Sequence, residues 1–154
     1  MNDVLRLYRD VLRTDYCAYV KHTNNGYKVS KFHRFLCDTV QDFLEEDTGH
    51  AYDILILSTP PQHGKSVTVT ETLPSWYLGR NPEKSVIEIS YSEDFAQKFG
   101  RRNLQKIKEF CGEVFGVKIG SPANATEFEL EGHRGGMVSR GLLSGVTGRR
   151  CDLM

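Results

Sequence analysis

A run of four consecutive apolar residues, Ile54-Leu55-Ile56-Leu57, constrains the fold of this 154-residue chain more than any other part of its sequence. Apolar β-formers without polar alternation are typical of a strand that is covered on both faces, as in a parallel sheet flanked by helices. A second segment typical of a buried strand spans 85–91, with Glu88 at its middle, and a helical pattern over 66–78, interrupted at Pro74, separates the two. We therefore predict buried strands at 53–58 and 85–91 in an α/β fold.

Helical patterns dominate the first part of the chain. Apolar residues recur at helical spacing over 4–12 and again over 32–44, with turn residues between them. Ser92 precedes a third such pattern and is a good N-cap residue. We interpret 1–50 as a helical N-terminal region that leads into the core of a single domain, formed by 51–154.

The last third of the chain changes character. Strict alternation over 127–131, followed by glycines, predicts an antiparallel hairpin across 126–140. A further strand is expected to begin near Cys151. The sheet should then be mainly parallel, with one short antiparallel hairpin.

Composition excludes several classes of function. Lys and Arg total 20, as do Asp and Glu, and a net charge of zero argues against a dedicated polybasic arm. No apolar run approaches the roughly 20 residues of a membrane span, and the charged residues within 1–10 do not form a secretory signal. The four cysteines are too widely spaced for a zinc or iron–sulfur site. We expect a cytoplasmic protein without a membrane partner.

The polar loop after the first predicted strand carries the clearest chemistry. It begins at Thr59 and ends in Gly64-Lys65-Ser66, the second half of the phosphate-loop pattern, with Thr59 in place of the first glycine. Gly64 lets the backbone approach a phosphate, Lys65 can reach β- and γ-phosphate oxygens, and the Ser66 hydroxyl can bind Mg²⁺. Such a tripeptide also occurs by chance as a solvated turn before a helix, so this interpretation depends on the strand at 53–58.

The predicted site extends over the whole loop. Its nucleotide-binding residues are Pro61, Gln62, His63, Gly64, Lys65, Ser66 and Val67. Lys65 is also assigned to catalysis, and Ser66 is the metal-binding residue. Arg140 is our candidate for an arginine that contacts the γ-phosphate, with Arg134, Arg149 and Arg150 as alternatives. His63 serves either phosphate contact or turn geometry.

The segment Pro60-Pro61-Gln62-His63-Gly64-Lys65-Ser66 resembles the deviant phosphate loop of large terminase subunits, the DNA-packaging ATPases of tailed bacteriophages. Residues 90–101 and 144–154 are similar to two further motifs of that family, and the resemblance runs from Phe32 to the last residue. Gln62 stands where many members have arginine. The resemblance implies a three-layer fold of the P-loop NTPase type, with ATP and Mg²⁺ as cofactors.

The resemblance also implies a function. ATP hydrolysis would drive double-stranded DNA into a procapsid, in contact with the portal, the small terminase subunit and further copies of the same chain. The Walker B aspartate, the glutamate that activates water and the nuclease domain are expected beyond Met154. We therefore interpret 1–154 as a partial ATPase domain that is inactive alone and binds DNA weakly.

Several interpretations stay open at this point. Five cations, Lys98, Arg101, Arg102, Lys106 and Lys108, lie on one predicted helix and serve either DNA contact or simple solvation. The resemblance suggests that the region of His33 helps to hold adenine. The competing functions are a helicase-type ATPase, a small-molecule kinase, and a non-catalytic scaffold in which Gly-Lys-Ser is incidental.

Overall fold

The computed structural model describes residues 2–145 and 148–154, so Val146 and Thr147 of the 144–154 motif lie outside the described residues. Helices are α1 (Asn2–Thr14), α2 (Tyr16–Thr23), α3 (Lys31–Glu45), α4 (Leu73–Arg80), α5 (Glu93–Lys106) and α6 (Gly112–Val114). Strands are β1 (Ser85–Ser90), β2 (Glu127–Glu129) and β3 (Gly136–Gly141). Two π-helical turns, Ser66–Thr70 and Ile107–Cys111, precede α4 and follow α5. Across these described residues, no helix has the length and apolar character that crossing a bilayer requires.

The three strands form one sheet in the order β1-β3-β2. The central strand β3 is parallel to β1 and antiparallel to β2, and Met137 lies opposite both Val86 and Phe128. The predicted strand at 85–91 and the predicted hairpin are therefore confirmed. The strand expected near Cys151 is reduced to one parallel bridge between Leu153 and Val86. A three-layer P-loop fold with a mainly parallel sheet stays a prediction.

The structure contradicts the prediction of a buried strand at 53–58. It has no regular secondary structure and pairs with no strand. Leu55 and Leu57 pack against the helical core, whereas Ile54 and Ile56 are 74% and 85% exposed. The physical reason is the lack of a partner edge: β1 is hydrogen-bonded to β3 on one side and to Leu153 on the other. The apolar run therefore buries one face only.

Two hydrophobic clusters organise the interior. The first surrounds Trp76 of α4, whose indole N–H donates to the Leu12 carbonyl, and it is built mainly from α2 and α3. The second lies between the sheet and the α5 region and includes Val86, Ile107 and Met137. Both clusters touch Leu153, which links the helical part of the chain to the sheet.

The helical N-terminal region differs in detail from the prediction. Of the apolar residues that mark α1, only Leu12 is buried, and the others face solvent. The sequence pattern did not predict α2, an eight-residue helix whose N-cap Asp15 accepts a hydrogen bond from the Ala18 amide. The single helix predicted over 66–78 is divided into the π-helical turn and α4. Pro74 lies in the first turn of α4, where its missing N–H breaks no helical bond.

Glu88 lies in the middle of β1 with its carboxyl group buried. One carboxyl oxygen accepts a hydrogen bond from the Ser139 hydroxyl (3.0 Å), and the other has no partner in the described structure. Burial, with a smaller contribution from Glu71, raises the pKa of Glu88 to about 7. The folded chain therefore favours the protonated carboxyl group.

We expect Glu88→Gln to remove a pH dependence of stability. Because the folded-state pKa lies above the unfolded value, this residue contributes most stability below pH 4.5 and loses it as the pH rises through about 7. The amide should raise the free energy of unfolding at pH 8 by about 1–2 kcal/mol, allowing for solvent screening. Urea unfolding from pH 5 to 8 measures this, with the exposed Glu129→Gln as control. Equal pH profiles for wild type and Glu88→Gln would contradict it.

Candidate phosphate-binding loop

The loop between 53–58 and the first π-helical turn has an unusual backbone. Gln62 (φ +63°) and Gly64 (φ +74°) are both left-handed, and Gln62 is the only non-glycine residue with positive φ in the described chain. His63 between them has negative φ. Alternating φ signs turn successive amide groups toward one side and create a concave anion-binding nest. A strained non-glycine residue at such a point is typical of functional loops.

The amide groups of this loop are available to a ligand. From Gln62 to Val67 none donates to an acceptor within the described chain, and the first amide that does is Thr68, to the Gly64 carbonyl (2.9 Å). Lys65 and Ser66 are exposed, and their side chains form no hydrogen bond or ion pair with any described residue. The loop thus presents free amides, one ammonium group and one hydroxyl group together.

Two side chains from outside the loop form its wall. A Cβ atom at Gly64 would lie 3.0 Å from His33 Nε2 and 3.2 Å from the Tyr27 hydroxyl. The Tyr27 hydroxyl is also hydrogen-bonded to the Thr68 hydroxyl (2.7 Å). Tyr27 was missed in the sequence, because a tyrosine in a turn-rich segment carries no signal for the distant loop that it reaches.

His33 is held in one orientation by the start of α3. The Ser30 amide donates to His33 Nδ1 (3.1 Å) as part of a capping box. Because a backbone amide can only donate, Nδ1 is an acceptor and the neutral imidazole carries its hydrogen on Nε2. Nε2 is the His33 atom that would lie nearest to a Cβ at Gly64. The fold therefore brings a hydrogen-bond donor to the loop; adenine contact by this region stays a prediction.

His63 is turned back onto its own loop. Its Nδ1 atom lies 2.7 Å from the Pro61 carbonyl, which can only accept, so the ring donates there. An edge contact with Phe32 of α3 places the ring beside the helix (6.0 Å between ring centroids). This arrangement favours the turn-geometry interpretation of His63, and Pro61 contributes its carbonyl to that turn.

Arg140, the predicted arginine finger, is engaged by partners at and beside the sheet. Arg140 on β3 donates to the Thr126 and Ser139 carbonyls and to the Glu127 carboxylate (3.0 Å). Arg149 binds the same carboxylate through both terminal nitrogens (2.7 and 3.2 Å), and these two arginines hold the pKa of Glu127 below its usual value. The structure brings Arg140 and Arg149 together at Glu127, and neither forms a hydrogen bond or ion pair with a described residue of the loop. Their role toward a γ-phosphate stays a prediction.

The acid near the end of the chain has structural partners. Asp152 accepts hydrogen bonds from Lys84 Nζ (2.8 Å) and the Ser85 amide (2.9 Å), which fixes the last residues beside β1. No group of three or more His, Cys, Asp or Glu side chains within 2–145 and 148–154 could hold a metal ion. At the loop, the Ser66 hydroxyl could hold a magnesium ion together with phosphate oxygens and water, a set that Mg²⁺ accepts.

Without a strand at 53–58, the interpretation of the loop depends on its own geometry and on similarity to known proteins. A family model described as terminase large subunit, T4likevirus-type, N-terminal, matches residues 56–153. The match covers well over half of the chain and includes the loop, the sheet and α5. Comparison with curated proteins gives no match, and comparison with solved structures gives none either.

Proposed function

The chain belongs to the family of T4-like terminase large subunits, N-terminal part, and from this premise we propose that it is the ATP-binding part of a viral DNA-packaging motor. In this proposal ATP hydrolysis drives double-stranded DNA into a procapsid in the host cytoplasm. The portal, the small terminase subunit and further copies of the chain are the proposed protein partners. The observation that carries the nucleotide part is the set of free amides between Gln62 and Val67 beside Lys65.

We assign phosphate- and metal-binding roles to the loop residues as follows. The amides from Gln62 to Val67 bind β-phosphate oxygens, and Lys65 binds the β- and γ-phosphates. Gly64 keeps the space beside His33 and Tyr27 open, because any side chain there would meet both. Mg²⁺, held through the Ser66 hydroxyl, would neutralise phosphate charge.

The test is a titration of the chain with a fluorescent ATP analogue, with and without Mg²⁺. Saturable, Mg²⁺-dependent binding is the expected result. Its absence would overturn the nucleotide proposal and would favour a non-catalytic scaffold with an incidental Gly-Lys-Ser. Inorganic triphosphate should compete, because the contacts that we propose are to phosphate groups.

Ser66→Ala should weaken the Mg²⁺-dependent part of this binding selectively. The exposed hydroxyl has no hydrogen-bond partner among the residues that the structure describes, so its removal takes away the proposed metal ligand and little else. We expect a loss of about tenfold with Mg²⁺, equivalent to about 1.4 kcal/mol, and almost none without it. The exposed Ser121→Ala is the control. Equal losses in both conditions would instead assign Ser66 to shaping the start of the helical turn.

The proposed DNA-binding surface is the exposed face of α5. Lys98, Arg101 and Arg102 face solvent there and form no ion pair with any residue that the structure describes. Lys106 of the predicted basic face is instead buried and donates to Asn24 Oδ1 (2.8 Å). Several other arginines, among them Arg9, Arg34 and Arg80, are paired with carboxylates. Unpaired cations on one helix face are suited to backbone phosphates, and they carry no information about base sequence.

Binding of duplex DNA should be weak, independent of sequence and sensitive to salt. Three phosphate contacts predict a loss of about 40-fold in affinity between 50 and 200 mM salt. Fluorescence anisotropy with two unrelated duplexes measures this, and the double variant R101E/R102E should reduce the salt dependence. The double variant R6E/K118E, at two exposed cations outside α5, is the control because it changes the net charge by the same amount. Tight binding that survives high salt would contradict the proposal.

A further inference from the structure

The helical turn after the loop is a π-helical turn. The Glu71 amide donates to the Ser66 carbonyl (2.8 Å), five residues back instead of four. Such a turn is rarely stable by itself, and the sequence Ser-Val-Thr-Val-Thr is rich in β-branched residues with low helix propensity. Something outside the turn must therefore hold it.

Three buried side chains supply that support by donating to carbonyl groups of the turn. The Thr72 hydroxyl donates to the Val67 carbonyl (2.7 Å), the Tyr16 hydroxyl donates to the Thr68 carbonyl, and Asn103 Nδ2 donates to the Thr70 carbonyl (2.8 Å). All three donor residues are completely buried. Two of them, Tyr16 of α2 and Asn103 of α5, come from helices remote in sequence, so tertiary structure fixes the turn.

Asn103 makes the most connections of the three. Its Nδ2 atom also donates to the Phe99 carbonyl within α5 (3.0 Å), and its Oδ1 atom accepts from the Ser75 amide in the first turn of α4 (3.2 Å). One amide group thus joins α4, α5 and the π-helical turn. A buried amide with its donors and acceptor all occupied fixes the relative position of the elements that it joins.

We infer that Asn103 is a positioning residue for the phosphate-binding loop, an inference that rests on the function proposed for that loop. The turn that it holds begins at Ser66, the residue next to Lys65, so a shift of the turn moves both side chains relative to the loop amides. Asn103 directly follows Arg101 and Arg102 in α5. A ligand that displaces α5 would therefore act on the loop through this amide.

The test uses Asn103→Asp and Asn103→Ala in the full 154-residue chain. Asn103→Asp keeps the acceptor for the Ser75 amide and loses the donor to the Thr70 carbonyl. Asn103→Ala removes both hydrogen bonds and replaces Asn103→Asp in the test if the buried carboxylate prevents folding. Met137→Ala is the control, since it opens the second hydrophobic cluster away from the turn. Urea unfolding shows that each variant is folded.

Two readouts separate the inference from the proposed function. Hydrogen-exchange mass spectrometry without nucleotide should show exchange at 66–72 at least tenfold faster in the Asn103 variants, with α3 unchanged. The affinity for the fluorescent ATP analogue with Mg²⁺ should fall about tenfold, and Met137→Ala should show neither selective change. Unchanged exchange at 66–72 overturns the inference. Faster exchange in a chain whose wild type binds no nucleotide upholds the link to the turn and overturns the proposed function.

Discussion

Lys65→Ala is expected to lower the affinity for Mg²⁺–ATP at least 100-fold while the fold stays intact. The ammonium group is the only charged side chain among Gln62 to Val67, and contacts between charged groups and phosphate are the strongest that such a loop can offer. Lys65 is exposed and has no hydrogen-bond or ion-pair partner in the described chain, so its truncation removes no packing. The free energy of unfolding should change by less than about 0.5 kcal/mol.

The experiment pairs the analogue titration with urea unfolding of the same protein samples. Lys118→Ala is the matched control, because that lysine is also exposed and lies near α6, away from the loop. It should bind nucleotide as the wild type does. An affinity of Lys65→Ala equal to that of the control would show that Lys65 does not bind phosphate.

Gly100→Ala should destabilise the chain by about 3 kcal/mol or more, although alanine normally stabilises a helix relative to glycine. Gly100 lies in α5 where the helix crosses β3 and the segment before β2. A Cβ atom there would lie 1.9 Å from the Ala125 carbonyl oxygen and 2.8 Å from the Ser139 hydroxyl. Because a backbone carbonyl cannot move aside as a side chain can, α5 would have to separate from the sheet.

Gly112→Ala provides the opposite expectation within the same region. The nearest atom to a Cβ at Gly112 is the Val117 carbonyl oxygen at 3.9 Å, an ordinary contact, and the backbone is helical. This variant should be more stable than wild type by up to about 1 kcal/mol. Urea unfolding of both variants measures the difference. A Gly100→Ala variant as stable as Gly112→Ala would show that α5 does not pack tightly here.

The elements that could be predicted from sequence are those whose signals are local. The alternation and glycines at 126–140 specify a hairpin, and Ser92 specifies the start of α5; the structure has both. The prediction of a strand at 53–58 was wrong because an apolar run indicates a tendency to be buried but not whether a partner strand lies beside it. The helix α1 was predicted, but its exposure was not, because helical periodicity says nothing about what covers the apolar face.

The residues of the candidate site also fall into those that the sequence predicts and those that it does not. Gly64, Lys65 and Ser66 were predictable because the phosphate-loop pattern is contiguous in sequence. Tyr27 and Asn103 were not, since their partners in the loop region are 41 and 33 residues away in sequence, and neither belongs to a local motif. Strained backbone at Gln62 is likewise invisible in the sequence, where glutamine indicates no left-handed conformation.

The irregular segment 53–58 also affects how molecules of this protein associate with one another in solution. Its peptide groups have no ladder partner among the described residues, and Ile54 and Ile56 stand out from it into water. Six residues rich in β-formers, free of proline and glycine, form a template on which a second molecule can align edge to edge. A formal net charge of zero leaves little repulsion to keep such molecules apart. This segment, together with the exposed apolar residues of α1, is therefore a surface at which association between molecules is expected to begin at neutral pH.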